Sequence, residues 1–288
     1  MEVIATVPEM QRRADTQRAA GRRLALVPTM GALHEGHLSL VRKAREVADD
    51  VAVSIYVNPT QFVAGEDLDK YPRPVDEDLL KLRASGADAV FLPADRAMYP
   101  DPTHGQLTWV TTDHLGRHLC GRYRDGHFRG VTTVVTKLVN ACRPHVALFG
   151  LKDAQQFVIL KRMFFDLNTG VDILGVPTYR EADGLAASSR NIYLSPAERA
   201  QAPILHRAIQ EAEAAIQAGA ADAAAVREVL ASRIAEAPDA RVQYAEIVDT
   251  DALQPVETIA RGQEVLVAVA VFFGKTRLID NAFIVAQG

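Results

Sequence analysis

Aromatic residues are scarce in this chain, making up 6% of 288 positions with a single tryptophan. A groove that binds single-stranded nucleic acid by base stacking needs more than that. Cysteine is scarcer: Cys120 and Cys142 stand alone with no CxxC spacing, which excludes a disulfide framework and a thiolate metal centre. Two free thiols fit a reducing compartment. No long apolar run opens the chain, because Glu2, Glu9, Arg12, Arg13 and Asp15 interrupt the first twenty residues. Neither a signal peptide nor a membrane span is expected there, and the expected location is cytoplasmic. Nor is there an excess of positive charge, since 32 Lys and Arg face 36 Asp and Glu for a net charge of -4. That balance argues against a broad grip on nucleic acid or anionic lipid and leaves room only for a local basic pocket.

What is present is an ordinary globular composition, 48% apolar and 24% charged, long enough for two domains. Leu24 to Val27 reads as a short buried strand that stops at Pro28-Thr29-Met30-Gly31. A helix follows from His37, carrying Leu38, Leu40, Val41, Ala44 and Val47 mostly on one face, and then a strand over 51–57. The alternation continues with helices over 76–84, 131–141 and 154–165 and strands over 89–92, 146–149 and 171–176. It predicts an α/β fold, a Rossmann-like, doubly wound parallel sheet with helices on both faces. After Pro177 the pattern changes to a polar stretch, two Ala-rich helices around Gly219, and strands over 242–248, 265–272 and 278–285. The expected division is a nucleotide-binding domain over residues 1–178 and a smaller α+β lid domain over 179–288, with ATP at the strand ends between them. The acidic run Asp76-Glu77-Asp78 reads as the charged first turn of a helix and not as a metal site.

The most informative segment is Pro28-Thr29-Met30-Gly31-Ala32-Leu33-His34-Glu35-Gly36-His37, where a strand enters a helix through two glycines and two histidines. Gly31 and Gly36 have P-loop spacing, but His37 and Leu38 stand where such a loop needs Lys and Ser or Thr. A zinc-protease helix needs its histidines four apart, and a spacing of three across a glycine rejects it. The reading that survives is an H-x-G-H turn at the carboxyl end of the first strand, where open α/β sheets bind ligands. The start of a helix near His37 offers backbone N–H groups to phosphate, worth ~0.3–1 kcal/mol per anionic group. Gly36 lets a nucleotide approach, and both imidazoles can donate to phosphate oxygens as charge builds on a leaving group.

Six ordered blocks extend this signal: Pro28 to His37; Val57-Asn58-Pro59-Thr60-Gln61-Phe62; Gly126-His127-Phe128-Arg129-Gly130-Val131; Phe149 to Gln156; Arg180 to Leu194; and Thr276-Arg277-Leu278-Ile279-Asp280-Asn281. With them the chain resembles, nearly end to end, the pantoate–β-alanine ligase family of the H-x-G-H nucleotidyltransferase superfamily. The resemblance implies an AMP-forming ligase of pantothenate biosynthesis that joins pantoate to β-alanine through a pantoyl adenylate, releasing pyrophosphate. It also implies Mg2+ arriving with ATP, small-molecule partners only, and a homodimer. Carried onto this sequence, it places Met30, Gly31, Ala32, Leu33, His34, Glu35, Gly36 and His37 along ATP, His37 as proton donor at the phosphates with His34 beside it. Gly150, Leu151, Lys152 and Asp153 join them, Lys152 as a catalytic cation and Asp153 near the ribose. Tyr179 contacts adenine through its backbone, and Ala187, Ser188, Ser189 and Arg190 face the triphosphate in a loop able to close. Gln61 and Gln156 hold pantoate, Gln61 also β-alanine, neutral amides that leave the attacking carboxylate its charge. The chain departs from the family at Leu151, usually Glu, at Ala187, usually larger, and at 120–125, which lacks the usual Glu and Pro. The competing readings are another H-x-G-H transferase with a phosphate acceptor and a non-catalytic nucleotide sensor or RNA-binding module on the same scaffold.

Overall fold

Short, mostly apolar runs build the main sheet. In the computed structural model, which describes residues 1–287, these are β1 (Glu2–Ile4), β2 (Leu24–Thr29), β3 (Asp50–Ile55), β4 (Ala89–Phe91), β5 (Val146–Gly150) and β6 (Asp172–Val176). They pair in the order β1-β4-β3-β2-β5-β6, every neighbour parallel. Both faces are covered, which is why the central runs do not alternate. Ala25, Val27, Val51, Val53 and Leu148 pack into the core under α2 (Glu35–Val47) and α3 (Val75–Ala84). Leu26, Ala52, Phe91 and Ala147 alternate with them and are buried on the other face, where α1 (Val7–Ala19) and α5 (His127–Cys142) meet β2 and each other. The shorter α4 (Asp95–Met98) follows β4, and α6 (Ala154–Asp166) lies between β5 and β6 in the chain.

Proline opens the sheet where the strand order reverses. β2 pairs with β3 along all six residues but with β5 only at Ala25 and Leu26. Leu24 O accepts from His145 N on the β5 side, and Thr29 O accepts from Tyr56 N on the β3 side. Even-numbered residues of β2 therefore face β5, and Pro28 has no N–H to continue that ladder. The crevice beyond the paired ends of β2 and β5 is the switch point of a doubly wound sheet.

Contacts divide the chain into two compact units, one of residues 1–113, 124–151 and 159–177, the other of 114–123, 152–158 and Thr178 onward. In the second unit β7 (Ala240–Asp249), β8 (Glu264–Phe273) and β9 (Thr276–Val285) form an antiparallel sheet in that order. After the short α7 (Pro196–Gln201), α8 (Ile204–Gln217) and α9 (Ala223–Ile234) lay Leu205, Ile209, Ile216, Val226 and Leu230 on Val265, Val267, Val269 and Val271 of β8. The Ala-rich sequence thus packs two helices closely on one sheet face.

The structure differs from the periodicity reading at several ends. β1 and α1 lie in the stretch read only as lacking an apolar run, because a three-residue edge strand and a largely charged helix carry little apolar signal. β3 ends at Ile55, and Pro59 opens a 3-10 turn, Pro59–Gln61. α5 begins at His127 rather than Val131, since Gly126 takes the left-handed conformation (φ 76°) and the helix starts directly after it.

Gly130 brings α5 against that turn, and a Cβ there would lie 2.3 Å from Thr60 O and 2.7 Å from Gln61 Cα. Gly130→Ala is expected to lower stability by about 1–3 kcal/mol in urea unfolding. Gly150→Ala, which meets nothing within 4 Å, leaves the midpoint in place.

Candidate active site

The loop between β2 and α2 is held from three sides. Gly31 (φ 81°) and Ala32 (φ 51°) both take left-handed backbone conformations. A Cβ on Gly31 would press against Asp78 Oδ2 and Ile55 Cγ2 at 3.0 Å, so glycine is required by both angle and space. Asp78, in the first turn of α3 and 1% exposed, accepts the Ala32 N–H at one oxygen and the Leu33 N–H at the other, each at 2.8 Å. Lys81, one turn on, donates to Leu33 O at 2.8 Å. The acidic run is indeed a first helical turn, but its third member is buried and works as a clamp, which its surface-like sequence hides.

The two histidines cap the helix they introduce. His34 is the N-cap of α2, its Nδ1 accepting from Gly36 N at 3.2 Å, while His37 Nδ1 accepts from His34 N at 3.4 Å. This is a capping box built from imidazoles. With both Nδ1 atoms accepting, the proton of each neutral ring sits on Nε2. The ring centroids are 4.1 Å apart. α2 starts at Glu35, two residues before the expected start near His37. The helix amides expected to await phosphate there are partly committed, Gly36 N to His34 Nδ1 and His37 N to His34 O at 2.8 Å. The imidazoles and the loop, more than those two amides, present donors at this corner.

Gln61 closes the turn after β3, and its amide is oriented by neighbours. Asn58 Nδ2 donates to Gln61 Oε1 at 3.0 Å and to Gly130 O at 3.2 Å, and Gln61 Nε2 donates to Met30 Sδ at 3.1 Å. Gln61 is thereby tied to Met30, at the end of the neighbouring strand. Asn58, 1% exposed, also accepts from Tyr99 OH at 2.8 Å. Burial first, and the Asp95 charge with it, outweigh the Thr60 hydroxyl and raise the Tyr99 pKa, so this phenol keeps the proton it donates. Beside the loop opens a cavity of about 430 Å3 with Met30, Gly31 and Asp78 among its lining and Arg73 and Asp95 also in its wall. Its volume lies in the range of small-molecule sites.

The remaining expected residues belong to the second unit, apart from Gly150 and Leu151 at the end of β5. Lys152 and Asp153 complete the 3-10 turn Leu151–Asp153, and Asn281 Nδ2 holds Lys152 O at 2.7 Å. Gln155 is buried, accepting from Cys120 N and donating both amide hydrogens, to Leu115 O and His118 O, each at 2.8 Å. Gln156 is half-buried and makes none of these bonds. Arg180 pairs in two bonds, 2.7 and 2.9 Å, with Asp280, which is 2% exposed, and donates to Gly184 O. Tyr179 O accepts from Ala187 N, leaving the Tyr179 ring exposed. Ser188 caps the 3-10 turn Ser189–Tyr193 that carries Ser189 and Arg190, accepting from Arg190 N at 3.3 Å. Asn191 anchors the turn through Glu181 and Ala186 O. Asp280 and Asn281 are thus supports for Arg180 and Lys152, roles that only side-chain geometry reveals.

A doubly wound parallel sheet with a histidine-capped, phosphate-suited loop at its switch point defines a nucleotide-handling protein of the H-x-G-H type. The sequence profile of the pantoate–β-alanine ligase family matches residues 2–283. The chain is 57% identical over 288 residues to a pantothenate synthetase of Salinibacter ruber, covering 99% of this chain and 98% of that one. It is 50% identical over 284 residues to one of Acetivibrio thermocellus, covering 99% of each. Its structure is similar to that of a pantothenate synthetase from Thermus thermophilus, with TM-score 0.89, 39% identity and coverage of 98% and 99%. It is also similar to a pantoate–β-alanine ligase from Francisella tularensis complexed with β,γ-ATP and β-alanine, with TM-score 0.80, 30% identity and coverage of 98% and 97%. This chain belongs to the pantoate–β-alanine ligase family. Among the described residues no helix is long and apolar enough to cross a membrane.

Removing the clamp exposes its worth. Asp78→Ala leaves one buried and one half-buried N–H group without an acceptor and is expected to cost about 2–4 kcal/mol in urea unfolding. Asp76→Ala and Glu77→Ala, at exposed positions of the same turn, stay within about 0.5 kcal/mol.

Proposed function

We propose that this ligase condenses pantoate with β-alanine at the expense of ATP, and that the histidine-capped loop with Gln61 is where the first step takes place. The observation that carries the reading is the pair of imidazoles at the end of β2 with their protons on Nε2, one strand from an amide fixed against Met30. A carboxylate oxygen of pantoate attacks the α-phosphorus, the bond to the β-phosphate bridging oxygen breaks, and pyrophosphate leaves. His34 and His37 donate to phosphate oxygens as negative charge grows, His37 as proton donor. Met30 to His37 line the nucleotide, and Gln61 orients the pantoate carboxylate and hydroxyls without neutralising the nucleophile. In the second step the free amine of β-alanine, also oriented by Gln61, attacks the acyl carbon of the adenylate. AMP is expelled, the amide forms, and the nitrogen loses a proton.

The remaining expected residues take the following roles in this proposal. Lys152 stabilises charge at the α-phosphate, Asp153 with the Gly150 backbone holds the ribose, Leu151 lies along ATP, and Gln156 assists pantoate. Tyr179, Ala187, Ser188, Ser189 and Arg190 serve adenine and the triphosphate. The commitment of Gln155 to three internal hydrogen bonds supports Gln156 as the substrate residue of the pair. Residues 1–178 are proposed as the nucleotide- and pantoate-binding domain and 179–288 as a lid that keeps water from the mixed anhydride. Mg2+ enters as part of the nucleotide substrate, on phosphate oxygens. A cytoplasmic homodimer is proposed as the working form, the compartment supported by two buried free thiols.

Exchange of labelled pyrophosphate into ATP tests the first step in isolation. Exchange is expected with pantoate and without β-alanine, and to fall about 10²–10³-fold in His37→Ala and in Lys152→Ala. Exchange promoted by a phosphate ester and not by pantoate overturns the reading in favour of another H-x-G-H transferase.

A further inference from the structure

The loop that follows Gln61 is tied to the start of α5 by half-buried charges that the reaction above does not use. Glu66 and Arg124 meet in a two-point ion pair, Nε to Oε1 at 2.6 Å and Nη2 to Oε2 at 2.7 Å, with side chains 22% and 16% exposed. Glu66 Oε2 also accepts Val63 N at 3.2 Å, which closes the short loop on itself. Burial is the largest single influence on Glu66 and would raise its pKa, but the Arg124 hydrogen bonds and charge, with the Val63 N–H, hold it below the usual carboxylate range. The carboxylate is therefore charged, and the pair is a firm one.

From this pair the bonding runs in one direction. Arg124 Nη1 lies 2.8 Å from His127 Nε2, and His127 Nδ1 lies 2.6 Å from Gln61 O. A guanidinium only donates, so Nε2 must accept and carries no proton. A carbonyl only accepts, so Nδ1 must donate. His127 is thus neutral with its proton on Nδ1, the tautomer opposite to that of His34 and His37. Arg124 Nη2 approaches the same Gln61 carbonyl at 3.5 Å. Every link is polar, directional and at least partly removed from water, where such bonds hold geometry best.

Gln61 is consequently held twice, its side chain by Asn58 and Met30 and its carbonyl by His127. We propose that Glu66, Arg124 and His127 form a positioning chain that sets the backbone of Gln61 and, through it, the direction in which its amide meets pantoate. The last clause rests on the assignment of Gln61 to pantoate made above. None of the three touches substrate in this proposal, so they are positioning residues. Arg124 sits in the 120–125 stretch where the chain departs from the family pattern, so what that stretch must preserve is this donor and not the residues it lacks.

The test uses the full-length enzyme, with side-chain amides of glutamine labelled with 15N and the Gln61 signal assigned by its loss in Gln61→Ala. Arg124→Met strands Glu66 and can compromise folding, so the charge-neutral double variant Glu66→Gln/Arg124→Gln is measured alongside, with His127→Phe and His127→Asn. Asparagine can still donate to the Gln61 carbonyl, whereas phenylalanine cannot. The expected result is a shifted Gln61 amide signal in the double variant and in His127→Phe, and a rise of about tenfold in KM for pantoate with KM for ATP within about twofold, as for loss of one or two such bonds. His127→Asn recovers most of that rise. In the wild type, histidine nitrogen shifts report His127 protonated on Nδ1. An unmoved Gln61 signal in folded variants, or equal rises in both KM values, overturns the chain. If Gln61→Ala binds pantoate normally while the Gln61 signal still responds to the variants, the chain stands and the pantoate assignment fails instead.

Discussion

Two backbone N–H groups meeting one buried carboxylate organise this molecule. Ala32 and Leu33 lie in a loop whose backbone leaves the strand through two left-handed residues, and such a turn cannot satisfy its own amides. Asp78 accepts both, and Lys81 takes the Leu33 carbonyl, so one turn of α3 answers the polar groups of the segment. With these bonds made, the chain can turn sharply at Gly31, end β2, and deliver His34 to the N-cap of α2 in one defined geometry. The loop is held by bonds within the protein, from Asp78 and Lys81.

Tautomers follow from the same accounting. A histidine in solution exchanges its proton between two nitrogens, but each ring here is given a single neutral form by its neighbours. His34 and His37 spend Nδ1 on backbone N–H groups, and His127 spends Nε2 on a guanidinium. Three histidines in one unit thus take two different tautomers, according to which nitrogen the fold occupies. The glutamines divide in a similar way, since Gln155 is exhausted by three internal bonds while its neighbour Gln156 makes none of them.

In the second unit the polar pairs do the work that Asp78 does in the first. A buried Asp280 is tolerable because Arg180 meets both of its oxygens, and the pair fixes the segment ahead of the Ser189–Tyr193 turn. Removing one partner would strand a charge, so the pair acts as a structural constraint whatever its net contribution to stability.

Much of this protein was legible from its sequence because the signals are local. Strand and helix alternation, the change of pattern after Pro177, and the two glycines and two histidines after a short apolar run depend on residues within a few positions of one another. Those signals sufficed for the parallel sheet, its doubly wound character and the placing of the histidine-bearing loop at a strand end. Periodicity missed the start of the chain, where a charged helix and a three-residue strand have little apolar rhythm to detect. It also set the start of α2 at His37, because no local pattern says that an imidazole will be the cap. Tertiary structure alone decided which polar residues are supports. Asp78 lies 46 residues from Ala32, Glu66 58 from Arg124 and Asp280 100 from Arg180, and each looks like surface charge in sequence. Such partners are chosen by packing, since a buried charge is stable only where the finished fold places its complement within hydrogen-bond reach.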